Sequence, residues 1–272
     1  MQFTERSKDM KKYFFVYKSE LMSTFQYILN ILFKLISFIL LIYIFMNLWN
    51  YIYDNPEEII NGYSKKQMIW YVIVTEIIWG ATEGRRYCRR ISDDVRSGNI
   101  AYIMNKPYSY IGYSISSHLG ETTVKTIIAI VVGFVMGMIF LKEFPALSIP
   151  AIIIVLISGI LAVVINSLLV TFIGLISFII EDSNPIFWLY SKMILVLGTL
   201  FPVEFFPGIL AQIMRYSPIY VTCYGPAKLF VDFSYSMAVE ILLSQIIYVF
   251  IAWAMCYMLY RKGVRRLNVT GG

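Results

Sequence analysis

Residues 28–51 read ILNILFKLISFILLIYIFMNLWNY. A run of roughly 20 apolar residues is what a helix needs to cross a bilayer. The single charge, Lys34, stands near the start, where its long stem can carry the ammonium out to the interface. The whole chain agrees with this segment. Of its 272 residues, 58% are hydrophobic and 15% are charged, and the mean hydropathy is +0.68. A soluble domain carries about 25% charged residues. The expected fold is an all-α integral membrane protein forming a single domain over 1–272.

Five further apolar runs follow, at about 66–83, 118–141, 149–180, 185–202 and 237–260. They predict six transmembrane helices in all. The run 149–180 is over-long, so it is tilted or extended. The stretch 203–234 is apolar too, but Pro207, Gly208, Pro218, Gly225 and Pro226 interrupt it, and Glu204, Arg215, Lys228 and Asp232 add charge. Freed backbone groups and charges are costly in hydrocarbon. This stretch is expected to form short external re-entrant helices rather than a seventh span. At the N-terminus, Met10, Tyr13, Phe14, Tyr17, Leu21 and Phe25 share one helical face. That predicts an amphipathic interfacial helix over 1–26.

The basic residues set the orientation. Arg6, Lys8, Lys11, Lys12 and Lys18 precede the first span. Arg85, Arg86, Arg89, Arg90, Arg96 and Lys106 lie between the second and third, and Arg261, Lys262, Arg265 and Arg266 follow the sixth. The positive-inside rule places both termini and the 85–106 segment in the cytoplasm of a multi-pass cell-membrane protein. Lys65 and Lys66 run against it. The net charge of +6 is therefore a matter of topology and implies no nucleic acid. The first run is too long for a signal peptide. The three cysteines are scattered, indicating neither a disulfide framework nor a metal site.

The segment 85–98 is the anomaly in so apolar a chain. Tyr87, Ile91 and Val95 recur every fourth residue, while Arg89, Arg90, Asp93, Asp94 and Arg96 occupy the other faces. This is a short amphipathic helix, and Gly98 is a good terminator. Arg89 and Asp93 make an i,i+4 pair worth only a few tenths of a kcal/mol, so stability does not account for the charge. A docking helix for a soluble partner would use it for register and specificity. A solvated loop carrying topology-setting arginines would show the same residues.

The stretch 91–110, ISDDVRSGNIAYIMNKPYSY, resembles the cytoplasmic coupling region of type-2 ABC exporter permeases, in which an amphipathic helix leads into Gly, an aliphatic residue and Lys-Pro. Here these are Gly98, Ile100 and Lys106-Pro107. The segment 198–229 is similar to that family's end of span five and the external helices after it, with Gly198, Pro202, Pro207, Pro218 and Pro226 at such places. The tail RKGVRRLNVTGG resembles that of one permease group in this class. The resemblance implies a half-channel that pairs with a second permease chain, as homodimer or heterodimer. It also implies docking of the coupling helix, through Arg89, Arg90, Ile91, Asp93, Asp94, Val95, Arg96 and Gly98, onto a separate ATPase subunit. No G-x-x-x-x-G-K-[ST] phosphate loop occurs here, so ATP and Mg²⁺ would sit on that partner, with no cofactor on this chain.

The resemblance also assigns the path between the two halves to spans two and five. Val72, Glu76 and Trp79 share a stripe with Glu83 on span two, and Ser191, Gly198 and Pro202 mark span five. A carboxylate at the depth of Glu76 should face a bundle interior or a wet cavity. Pairing with Lys34, Lys125 or Lys192 within the chain is an equal alternative. His118, Glu121 and Lys125 fall on one helical face and read as an intramembrane polar network. They do not read as a metal centre, which would need at least three protein ligands. The reading is an ATP-driven export permease rather than an enzyme. An intramembrane enzyme lacks a nucleophile–base constellation here. An ATP-independent transporter would show broken helices in both halves. The apolar spans suit amphipathic or hydrophobic cargo and contact with membrane lipid equally.

Overall fold

The computed structural model describes residues 2–55, 58–82, 84–104, 106, 108–180 and 182–270. Side chains are described for all of these except 2–10, 28, 30, 32, 34, 104 and 266–270. The chain is almost wholly helical. Helix α1 (Gln2–Gln26) breaks at Tyr27 and continues as α2 (Ile28–Ile52). A small antiparallel hairpin follows, β1 (Ile59–Ile60) with β2 (Tyr63–Ser64), in the register Ile59↔Ser64. Asn61 and Gly62 turn it with φ of 49° and 87°, the left-handed pair that Asn-Gly adopts most readily. Ser64 and Gln67 then close a reciprocal capping box on α3 (Lys65–Ala81).

The charged insert is helix α4 (Arg85–Arg96), and Gly98, at φ 71°, ends it as expected. Helix α5 (Asn99–Met104) follows. Helix α6 (Tyr110–Leu141) starts eight residues before the expected third span, capped by the Ser109 side chain, so His118 lies inside it. Helix α7 (Ile149–Leu175) tightens into a 3-10 turn at Ile176–Phe178. Helix α8 (Asn184–Ile194) widens into a π-helical turn at Leu195–Leu200. The proline-rich stretch forms a 3-10 turn at Val203–Phe205, α9 (Gly208–Arg215), a π turn at Tyr220–Tyr224 and α10 (Gly225–Val231). It is a set of short helices, as its breaks dictate. Helix α11 (Tyr235–Thr270) runs on into the basic tail.

Among the described residues, four helical segments are long and apolar enough to cross a membrane: Leu35–Ile52, Tyr110–Leu141, Ile149–Phe178 and Tyr235–Arg265. The second and fifth expected spans are shorter. Helix α3 has 17 residues, and α8 has 11 before its π turn of 6.

Small residues and a few amides hold the helices together. A methyl group at Gly133 would press on Ile73 and Ile77, and one at Gly137 would overlap Trp70, so α6 meets α3 closely. Asn166 on α7 donates to Thr82 Oγ1 at 2.8 Å and accepts from the Tyr190 hydroxyl at 2.5 Å. Gln245 on α11 donates to the carbonyls of Ser158 (3.0 Å) and Val221 (2.8 Å). These bonds tie α7, α8, α11 and the 220–224 turn into one body.

The N-terminal stripe divides where the sequence reading kept it whole. Tyr13, Tyr17 and Leu21 turn toward α6, where Gly112 leaves room for the Tyr13 ring and Gly120 for the Tyr17 carbonyl, the Glu20 Cβ and the Leu21 N–H. Phe14 and Phe25 are exposed with Phe15 and Met22 on the outer side. The physical reason is that the stripe is broad: one edge packs on α6 and the other is left facing outward. Met10 lies outside the described side chains.

Candidate functional site

Helix α4 is seated by its apolar face. Tyr87, Cys88, Ile91, Ser92 and Val95 are buried against Leu168, Val170, Ile173 and Leu175 of α7 and Phe187 of α8. Full burial of a side chain such as Ile91 contributes about 1.5–3 kcal/mol. The fit is close: a Cβ on Gly174 would stand 2.8 Å from Ile91 Cβ. Glycine at that point lets α4 lie directly on the α7 backbone.

The opposite face of α4 is charged and exposed. Arg86, Arg89, Asp93 and Arg96 all face outward. Arg89 Nε is 3.9 Å from Asp93 Oδ2, with both side chains well exposed, an ion pair of little energetic weight. Of the residues assigned to ATPase coupling, Ile91 and Val95 are anchors beneath the helix, and Gly98 ends it. Asp94 is also engaged internally: it accepts from Tyr110 Oη at 2.9 Å and from Asn99 Nδ2 at 2.8 Å. Arg90 is exposed as well, and it donates to Ser117 Oγ at 3.2 Å. Ser117 in turn donates to Glu20 Oε2 at 3.3 Å, which links α4, α6 and α1. Outside the spans, burial pushes the Cys88 thiol up to about 11. The Asp182 carboxyl, at the start of α8, is held below its ordinary value by the Asn184 backbone N–H.

The His118–Glu121–Lys125 face is only partly a network. Glu121 Oε1 lies 2.6 Å from Lys125 Nζ and 3.7 Å from Arg86 Nη2. His118 stands apart: its ring stacks on Tyr87 at 4.0 Å between centroids. Tyr87 shares a 2.7 Å hydrogen bond with Thr171 on α7. Arg86 and Tyr87 are the members that sequence reasoning missed. Spacing within one helix does not show these contacts, because both residues reach α6 from α4. Among the described residues no group of three or more His, Cys, Asp or Glu side chains could hold a metal ion.

A cavity of about 560 Å³ opens between α2, α3, α6 and α8. Glu76, Trp79 and Ser191 line it, with Arg85, Lys125 and Lys192. Phe38 and Leu41 supply an apolar wall. Glu76 is 3% exposed, and its Oε1 has no hydrogen-bond partner among the described residues. Of the cations weighed as its partner, Lys125 reaches Glu121, and Lys192 Nζ lies 6.0 Å from the Trp188 ring centroid. Lys34 and Glu83 lie outside the described side chains. Val72, Gly198 and Pro202 do not line the cavity. They are buried nearer the hairpin end, where the Tyr71 hydroxyl donates to the Gly198 carbonyl at 2.8 Å and a Cβ on Gly198 would press on Ile219 and Cys223.

Stacked apolar helices, amides bonded across them and a carboxylate-bearing cavity between them define a multi-pass helical membrane protein. The sequence pattern of the family described as ABC-2 family transporter protein matches residues 38–271. The chain belongs to that family, and is thus the transmembrane component, a permease, of an ABC transporter. Such a component is not itself catalytic, and membership implies association with ABC ATPase subunits. A search of the curated proteins gives no match.

Proposed function

We propose that the chain is one of two permease chains in an ATP-driven exporter of the cell membrane, with six crossings and both termini in the cytoplasm. Helices α3 and α8, the latter with its π turn, would be the second and fifth crossings. At 1.5 Å per residue, 17 residues rise about 25 Å, at the short end of what spans a bilayer. The basic residues that flank α1, α4 and the end of α11 support this orientation. The proline-rich segment 203–234 would then lie on the outer side. Export, rather than import, rests on the likeness to exporter permeases.

The observation that carries the coupling role is the two-sidedness of α4. Its apolar face is locked to α7 and α8, and Arg86, Arg89, Asp93 and Arg96 are left on the outside. A rigid helix with an exposed charged face transmits the movement of a docked ATPase into the spans it is seated on. ATP and Mg²⁺ belong to that subunit, and no cofactor is assigned to this chain. Glu76, Trp79 and Ser191 would face the path, which the second permease chain, identical or not, completes. The cargo would be amphipathic or hydrophobic, since the cavity sets the apolar wall of Phe38 and Leu41 beside the charged groups of Glu76, Arg85, Lys125 and Lys192.

Charge reversal of Arg89 and Arg96 tests the docking role. Pull-down of the ATPase should fall sharply, while the melting temperature of the permease stays unchanged, because neither side chain is buried. Undiminished capture of the ATPase by the double variant would sink it.

A further inference from the structure

A second recess, of about 660 Å³, runs between α6 and α7 over a floor of α3 and α10. We propose that it holds one acyl chain of an anionic bilayer phospholipid whose head group rests beside α1.

Among the described residues, the lining carries no charged side chain. Its polar members are Tyr17, Thr123 and Thr126, and each hydroxyl already has a partner. Tyr17 Oη donates to Thr123 Oγ1 at 3.1 Å, Thr123 Oγ1 to the Leu119 carbonyl at 2.8 Å, and Thr126 Oγ1 to the Thr122 carbonyl at 2.9 Å. Nothing in the groove calls for a polar ligand, so the occupant is hydrocarbon. On its rim, Ile127, Leu156 and Ile160 are 54%, 53% and 65% exposed. They stand in the middle of two candidate spans, so the opening faces the bilayer core. An empty recess there would forfeit the dispersion contacts of its walls, and a neighbouring lipid chain restores them.

Length and charge fit the same occupant. From Leu119 to Phe134 the groove follows α6 for about 22 Å at 1.5 Å per residue. One leaflet of a hydrocarbon core of roughly 30 Å is about 15 Å deep, so a full lipid tail has room. The groove ends at Tyr17 of α1. The next residue, Lys18, is exposed, and Lys11, seven residues earlier on the same face, is exposed too. A tyrosine and a basic face at the membrane surface are what an anionic head group meets.

The test is native mass spectrometry of the full chain, released from nanodiscs of equal phosphatidylglycerol and phosphatidylcholine. The wild type should retain one phospholipid, with phosphatidylglycerol preferred. Gly159 lines the groove, and a Cβ built there meets nothing within 4 Å. The Gly159→Phe variant should therefore keep its helical content and melting temperature but lose the retained lipid. Lys11→Glu with Lys18→Glu should keep the lipid and lose the preference. A wild type that retains no lipid, or equal retention by Gly159→Phe, would overturn the site. So would a chain–chain dimer that Gly159→Phe abolishes, since the groove would then seat a second copy. A preference unchanged in the double lysine variant would overturn the head-group assignment.

Discussion

The ring of Tyr87 lies flat on the imidazole of His118, 4.0 Å between centroids and 1° from parallel. The pair joins the charged helix α4 to the long helix α6. His118 is 1% exposed, and neither ring nitrogen has a hydrogen-bond partner among the described residues. The imidazole therefore serves here as a flat plate.

If so, phenylalanine should replace it. His118→Phe is expected to melt at or above the wild-type temperature, since it keeps the stack and removes two unmet polar atoms. His118→Ala should lose roughly 3 kcal/mol, the low end for truncating a buried aromatic ring. Thermal unfolding of both purified variants in detergent checks this. A phenylalanine variant as unstable as the alanine variant would mean the nitrogens matter.

Cys88 offers a test of how tightly α4 is seated. The side chain is fully buried, 3.6 Å from Ser183 Oγ, and burial lifts its thiol to about 11 from 9.0. Only the thiolate attacks maleimide, and two pH units between the folded and ordinary values cut its share about 100-fold at pH 7–8. Cys88 should stay unlabelled in the native protein from either side of the membrane, and react once detergent or urea unfolds it. Rapid labelling at pH 7 would show that α4 lifts off. Membrane orientation must then be read from another site, such as Ser97→Cys, which is exposed.

At the hairpin end, Glu204 gathers the proline-rich segment. It accepts from Tyr224 Oη at 2.5 Å and Tyr63 Oη at 3.0 Å. Lys228 lies 3.9 Å from it, 2.8 Å from Asp232, and 4.4 Å from the Tyr63 ring centroid. Hydrogen bonds to a charged group contribute roughly 1.5–3 kcal/mol. Glu204→Ala should cost about that much, with Glu204→Gln costing less because the amide oxygen still accepts. Limited proteolysis should show cleavage within 203–234 rising first in the alanine variant. Protection equal to wild type would mean the prolines alone hold the segment.

The amphipathic insert shows how far local pattern reaches. Tyr87, Ile91 and Val95 are buried and Arg89, Asp93 and Arg96 exposed, as a 3.6-residue period requires of one helix with one wet face. The breaks of 203–234 were equally legible, because proline and glycine act on their own backbone. So was the helical, membrane-embedded character, which composition dictates. What the sequence could not decide is which residues meet across helices. Beyond its own helix the Glu121 carboxylate takes Arg86, His118 takes Tyr87, and Glu76 is left facing a cavity. Asn166 and Gln245, the amides that bind the bundle, carried no local signal at all. In water, the apolar stripe of a helix fixes its rotation. In lipid, the outward and inward faces of a span are both apolar, so hydropathy leaves the rotation free. Only close packing, such as Gly174 under Ile91 and Gly137 against Trp70, sets the angle at which each polar side chain finds its partner.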